Sequence, residues 1–218
     1  MRYKVRSVEI RSENAAKPTL QPAKAVVEWI KRMDGVKSIL DLGCGKLRYA
    51  RYLAEKCDHL DLVDSLVQIE RDQVISKKRT TVKNYAAKYF SNSDAYCIEE
   101  FLEKPRRKYD FVLCANMISA IPSKPIRNKT LRSVLTCLKR RGRILVVNQY
   151  TNSYFNRVIK SVRATPHLDG YILYSERGVY YYGILPEKKM SRILLGCGFR
   201  VINTWKSGQS SFVLAKPR

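Results

Sequence analysis

Along most of this 218-residue chain, short apolar runs alternate with longer stretches in which apolar residues recur every three or four positions. Such alternation is the mark of βαβ units feeding one parallel sheet. The apolar runs predict strands at Ser38 to Leu42, Leu60 to Asp64, somewhere within Tyr89 to Ile98, at Phe111 to Ala115 and at Arg143 to Asn148. Between them the 3.6-residue period predicts helices over Leu47 to Lys56, Leu66 to Ser76 and Ile126 to Leu138, the last running into Arg141-Gly142 as a stop. Lys77 to Asn92 fits either a helix or a strand. Ahead of the sheet, Ala25, Val26, Trp29, Ile30 and Met33 make Pro22 to Met33 an amphipathic helix that ends near Gly35. Met1 to Pro18 has no clear period and reads as an arm. After Asn148 comes a tyrosine-rich stretch, Tyr150 to Tyr182, then a helix over Glu187 to Leu195 and a Gly196-Cys197-Gly198 break. Two closing runs, Phe199 to Trp205 and Ser211 to Ala215, are joined by Ser207-Gly208-Gln209 as an antiparallel hairpin. The organisation expected is an N-terminal arm and helix over 1–35 packed on a core domain over 36–218.

Composition narrows this little: 45% apolar and 28% charged residues are ordinary globular usage. No apolar run is long enough to span a bilayer and the first residues do not form a signal region, so the expected location is cytoplasmic. Six scattered cysteines without a C-x-x-C pair, and only two histidines, suggest neither a metal site nor a disulfide framework. Charge changes the picture more. Forty-two Lys and Arg against 19 Asp and Glu give a formal +23, a field that attracts polyanions. Nucleic acid is therefore the first partner expected; a solvated basic surface or an anionic membrane contact is the alternative. Basic clusters lie at Lys77-Lys78-Arg79, at Lys104 to Lys108 and between Ser123 and Arg143, where no acidic residue occurs. Tyr150, Tyr154, Tyr171, Tyr174 and Tyr180-Tyr181-Tyr182 offer stacking platforms for bases, or pack into the core.

The first strand ends in Asp41-Leu42-Gly43-Cys44-Gly45 and leads towards a helix, an arrangement in which glycines let a ligand approach the backbone. Position 48 is Arg rather than the third glycine of a dinucleotide signature, which disfavours NAD or FAD. The run resembles the first motif of class I S-adenosylmethionine-dependent methyltransferases. Leu62-Val63-Asp64-Ser65 ends the second strand and is similar to that family's acidic second motif, while Asn92-Ser93-Asp94-Ala95 and Tyr109 to Met117 resemble its third and fourth segments. The resemblance covers Val36 to Arg218. It implies an α/β, Rossmann-like seven-stranded, mostly parallel sheet with helices on both faces and the C-terminal antiparallel hairpin as the last two strands. It further implies S-adenosyl-L-methionine as cofactor, with Asp41, Gly43, Cys44 and Gly45 at its methionine part, Asp64 and Ser65 at the ribose, and Asp94 and Ala95 at the adenine. Asn116, where cofactor and substrate meet, is the one residue it offers for catalysis.

For the methyl acceptor the sequence departs from several relatives. Asn116-Met117-Ile118-Ser119 lacks the Pro-Pro-aromatic continuation of DNA amino-methyltransferases, the Pro-Cys nucleophile of cytosine-C5 enzymes and the His-His that often follows such an Asn. The expectation is direct methyl displacement with no acid or base, on nucleic acid and preferably RNA or exposed single strands. A small-molecule methyltransferase with a basic surface and a non-catalytic nucleic-acid-binding protein of the same fold are the alternatives.

Overall fold

The computed structural model describes residues 2–16, 19–151, 153–161, 163–176 and 178–218, with only the backbone of 149, 154, 158 and 161. The chain opens on a hairpin of β1 (Arg2–Val5) and β2 (Val8–Arg11), followed by a short 3-10 helix, Ser12–Ala15, and by α1 (Lys24–Lys31). Then come β3 (Ser38–Leu42), α2 (Ala50–Ala54), β4 (His59–Asp64), α3 (Leu66–Glu70) and a small hairpin of β5 (Gln73–Ile75) and β6 (Lys78–Thr80). The middle of the chain supplies α4 (Val82–Tyr89), β7 (Ser93–Cys97), α5 (Ile98–Glu103), β8 (Tyr109–Ala115), α6 (Lys124–Cys137) and β9 (Leu138–Gln149). The last third holds α7 (Ser153–Ser161), β10 (Arg163–His167), β11 (Gly170–Ser175), β12 (Gly178–Gly183), α8 (Glu187–Gly196), β13 (Phe199–Ser207) and β14 (Ser210–Pro217).

Seven of the strands form one sheet in the order β13-β14-β9-β8-β3-β4-β7, with every neighbour from β9 to β7 parallel and β14 antiparallel between β9 and β13. This is the Rossmann-like sheet expected. The two-residue period of the strands sends Leu40, Leu42, Val112, Ile144 and Val146 to one core, and Ile39, Phe111, Leu113, Leu145 and Val147 to the other. Because β3 is buried along its whole length, its sequence is a run of apolar residues broken only by Ser38 and Asp41. Helix α1 joins the second core through Val26 and Ile30, with Trp29 stacked on Phe111 at a ring separation of 5.0 Å.

Two expectations need correction, and one open stretch resolves. The helix placed over Leu66 to Ser76 stops at Glu70: Val74 and Ile75 favour extended backbone, Ser76 and Lys77 turn at φ 47° and 69°, and Gln73 bonds back to Gln68. The ambiguous stretch after it resolves into β6 and α4, whose N-terminal Asn84 N–H is capped by the Thr81 hydroxyl. Gly142 does not end a helix either. Helix α6 ends at Cys137 and β9 starts at once, with an irregular pairing to β8 over the residues before Arg143. A Cβ on Gly142 would stand 2.8 Å from the Tyr109 carbonyl oxygen, so this glycine permits a close backbone approach.

The first residues are also more ordered in pattern than an arm. Tyr3 and Ile10 face each other across the β1–β2 register and are buried, joining the larger core. A second small sheet, β10-β11-β12, carries the tyrosine-rich region. Tyr181 and Tyr182 are buried there, so these two pack in the core rather than standing as platforms, while the Tyr154 side chain lies outside the described residues.

Candidate active site

The parallel strands all point their C-terminal ends the same way, and the strand order reverses between β3 and β8. Ligand sites of open α/β sheets form at such a reversal. A cleft with about 830 Å³ of open space lies there, its walls including Gly43, Cys44 and Gly45 after β3, Asp64 and Ser65 after β4, Ile98 after β7, and Asn116 and Met117 after β8. Tyr3, Ser12, Glu13, Ala15 and Ala16 of the N-terminal hairpin and 3-10 helix complete it.

Each loop has a physical reason for its course. Gly43 and Gly45 adopt φ 82° and 55°, values that favour glycine, and a Cβ on Gly43 would stand 2.5 Å from Met117 Cβ. The turn is tied to the neighbouring strand: the N–H groups of Gly43 and Cys44 donate to the Val63 carbonyl at 2.7 and 3.1 Å. Gly45 N–H donates to Asp64 Oδ2 at 2.8 Å and Ser65 N–H to Asp64 Oδ1 at 2.7 Å. These donors are therefore engaged within the protein, and what the loop offers a ligand is closeness of backbone. Ser65 caps α3, accepting from Gln68 N–H at 3.3 Å. Asn116 sits in the left-handed region at φ 62°, its N–H bonded to Val147 O at 2.7 Å and its buried Oδ1 without a partner among the described residues. Arg48, in place of a third glycine, stands on the cleft wall with Nε donating to Gln21 O at 2.5 Å.

Asp41 lies beneath the loop, 1% exposed, with Oδ2 lacking a hydrogen-bond partner among the described residues. Burial, helped by the charge of Asp64, pushes its carboxyl up from 3.8 to about 7. Asp64 is likewise raised by burial, against which the Gly45 and Ser65 N–H groups pull it down.

The structure does not bring Asp94 and Ala95 to the cleft. Strand β7 begins at Ser93, so Asp94 lies at its far end, paired in register with Asp61 and with its carboxylate 3.6 Å from His59 and 3.5 Å from Arg107. The residue that reaches the cleft from this strand is Ile98. Asp94, Asp61 and His59 stand close enough to suggest metal ligands, yet Arg107 already lies 3.2 Å from Asp61 and the Tyr109 hydroxyl donates to it, so the acidic charge is met by protein groups. Tyr3, Glu13, Tyr49, Gln68 and Ile121 line the cleft without having been singled out in the sequence. The one signal was weak: apolar Tyr3 and Val5, then Val8 and Ile10, alternate across a turn at Arg6-Ser7.

Comparison with known proteins agrees with this geometry. A family model described as a methyltransferase domain matches residues 15–203. The chain belongs to that methyltransferase family. YmfD, an uncharacterized protein of Escherichia coli strain K12, is 37% identical over 213 residues, covering 98% of this chain and 95% of YmfD. Among solved structures, the PH0226 protein of Pyrococcus horikoshii OT3 superposes with a TM-score of 0.67 at 18% identity, covering 88% of this chain and 86% of its own. The 1,6-didemethyltoxoflavin-N1-methyltransferase of Burkholderia thailandensis, solved with 1,6-didemethyltoxoflavin and S-adenosylhomocysteine, gives 0.62 at 13% identity, covering 92% and 79%. A S-adenosylmethionine-dependent methyltransferase of Clostridium acetobutylicum ATCC 824 gives 0.63 at 12%, covering 88% and 89%. At these identities the structural matches carry the fold.

For this methyltransferase the raised Asp41 has a measurable consequence. Between 3.8 and about 7 the folded chain keeps a proton that the unfolded chain has lost, so the stability of the ligand-free protein falls as the pH rises through that window and stays lowest above it. Asp41→Asn is expected to remove that slope. Thermal melts at pH 5, 6, 7 and 8 check it: the melting temperature of the wild type should decline more steeply than that of the variant, and parallel curves would contradict the assignment.

Proposed function

We propose that this methyltransferase binds S-adenosyl-L-methionine at the C-terminal ends of β3 and β4 and transfers its methyl group to a small molecule held between Asn116-Met117 and the N-terminal hairpin. The observation that carries this reading is the roof of the cleft. Tyr3, Ser12, Glu13 and Ala16 line it from above, and Ile118, at the head of the neighbouring 3-10 helix Ile118–Ala120, is buried. A cleft lined on one side by Tyr3 and the Ser12–Ala16 segment suits an acceptor that fits inside rather than a polymer that lies across.

The residues present fit the cofactor. Gly43 leaves room where any side chain would collide with Met117, and Asp64 keeps a second lone pair on each oxygen for a pair of ribose hydroxyls. Buried Asp41 would provide a carboxylate below the methionine end, and Asn116 Oδ1 an unsatisfied acceptor beside the acceptor subsite. When bound, the cofactor supplies a sulfonium methyl, which passes to a lone pair of the acceptor while sulfur keeps the bonding electrons. The chain's part is to align the two, hold water out with Met117, Ile98 and Ile121, and leave the acceptor's departing proton to solvent. The S-adenosylhomocysteine held by the Burkholderia enzyme, and the S-adenosylmethionine dependence of the Clostridium one, support the same cofactor.

Nucleic acid is the second reading, favoured by the +23 charge. Two basic residues, Lys46 and Arg48, line the cleft, but the cluster at the start of β9 does not. Arg140, Arg141 and Arg143 are exposed at the start of β9, the end of the sheet opposite the cleft, and Lys139 bonds Asp110 at 2.8 Å. Arg127 is buried.

Calorimetric titration with S-adenosylmethionine, followed by methyl-label transfer to a metabolite extract, total RNA and DNA, tests both. Binding is expected, with label appearing in the small-molecule fraction and Asp64→Ala losing most of the affinity because two backbone N–H groups and the ligand lose their acceptor. Label in a polymer, falling steeply with added salt, would establish the second reading; no binding at all would overturn both.

A further inference from the structure

Resting on the methyltransferase reading above, we infer that Glu13 is the acceptor-binding residue of this cleft and that the methyl acceptor is a small molecule presenting an N–H donor, an amine or a protonated heteroaromatic nitrogen. Glu13 stands on the 3-10 helix Ser12–Ala15, 7% exposed, and lines the cleft with a buried Oε2 that has no hydrogen-bond partner among the described residues. A carboxylate oxygen taken from water and left unpaired is costly, and such a group persists where a ligand completes it. Its place in the fold puts it on the acceptor side. Strand β12 packs against both this 3-10 helix and the Ile118–Ala120 turn that follows Asn116, with Gly178 close to Asn14 at one end and Gly183 close to Ser119 at the other.

The other lining groups point to the same chemistry. Asn116 Oδ1 and Gln68 Oε1 are also buried acceptors without partners among the described residues, so a molecule carrying hydrogen-bond donors would complete these walls. The cleft lining carries Lys46 and Arg48 as well as Glu13 and Asp64, with Arg48 Nε already given to Gln21 O, while the Glu13 Oε2 is buried. An anionic acceptor would meet the Glu13 charge at close range with water excluded, whereas an amine would be held by a charge-assisted hydrogen bond. The burial of Tyr3 beside it, whose hydroxyl is pushed up by desolvation and by the charges of Asp64 and Glu99, keeps that phenol neutral.

The test uses the protein loaded with S-adenosylhomocysteine and two pairs of small probes, benzylamine against benzoate and 2-aminopyridine against phenylphosphonate, read by calorimetry. The amines are expected to bind and the anions not. Glu13→Gln, the same size without the charge, should weaken the amines tenfold or more while S-adenosylhomocysteine affinity stays within twofold, and Glu13→Asp should recover part of the loss. Glu9→Gln, exposed on β2 just before that 3-10 helix, should change neither. Anions binding as well as amines, no amine binding, or unchanged amine affinity in Glu13→Gln would each overturn the proposal. So would a parallel loss of S-adenosylhomocysteine affinity, which would assign Glu13 to the cofactor half. Failure of the wild type to bind S-adenosylhomocysteine would instead sink the methyltransferase reading beneath it.

Discussion

Gly43→Val should reduce S-adenosylmethionine affinity at least about a hundredfold, equivalent to roughly 2.8 kcal/mol. Two costs act together. At φ 82° an L-residue is strained by roughly 1–2 kcal/mol, and a β-branched one by more. The first carbon of the side chain would also stand 2.5 Å from Met117 Cβ and 2.6 Å from its Cγ. Met117 has little freedom to yield its Cβ, which is fixed by backbone that runs from Asn116, itself bonded to Val147, into the Ile118–Ala120 turn. Either the loop shifts or the turn does, and both are walls of the same cleft. The neighbouring glycines provide the scale. Gly45→Ala faces only the strain of φ 55°, with nothing nearer than a carbonyl oxygen at 4.0 Å, and should cost about tenfold. Gly196→Ala, at an ordinary φ with nothing within 4 Å, should leave binding unchanged. Calorimetry on the three variants checks the ordering, and wild-type affinity in Gly43→Val would remove the loop from the cofactor site.

Much of the sheet could be read from the chain because its strands are buried on both faces, and burial on both faces writes a run of apolar residues such as Ser38 to Leu42 or Arg143 to Asn148. The glycine loop and Asp64 were legible for a related reason: each stands at the end of such a strand, so finding the strand finds the residue. Asp94 was misplaced because the turn-like Asn92-Ser93-Asp94 looks like the end of a segment, when the alternation to Cys97 makes it the beginning of β7. The N-terminal hairpin was illegible because its strands are four residues long and each buries few side chains, among them Tyr3 and Ile10. Tyr3, which this hairpin brings to the cleft, rests on that weak signal. Charge is less legible than pattern, since a count of basic residues carries no position: Arg127 contributes to the +23 yet lies inside the protein.

That buried arginine carries the second large effect. Its guanidinium donates to the Ile121 carbonyl at 2.7 Å, to Asp169 at 2.5 Å and to the Tyr181 hydroxyl at 3.1 Å, so α6, the β10-β11 turn and the cleft wall at Ile121 meet on one side chain. Asp169 would be raised by its partial burial, but Lys189 and Arg127 hold it below the usual carboxylate range. Arg127→Ala leaves that carboxylate with Lys189 alone, strips Ile121 O of its donor and opens a cavity where a fully buried side chain stood. Removing one partner of a buried pair costs about 3–5 kcal/mol. For a chain of this size each kcal/mol lowers the melting temperature by roughly 2–4 °C, so a fall of about 10 °C is expected. Replacing both partners, Arg127→Met with Asp169→Leu, should recover much of the stability, because neither charge is then left stranded. It should not recover the grip on Ile121 O. If the double variant melts near the wild type but binds acceptor probes more weakly at unchanged S-adenosylhomocysteine affinity, Arg127 is a positioning residue for the acceptor wall as well as a structural one. If it binds the probes as the wild type does, the network serves the fold alone.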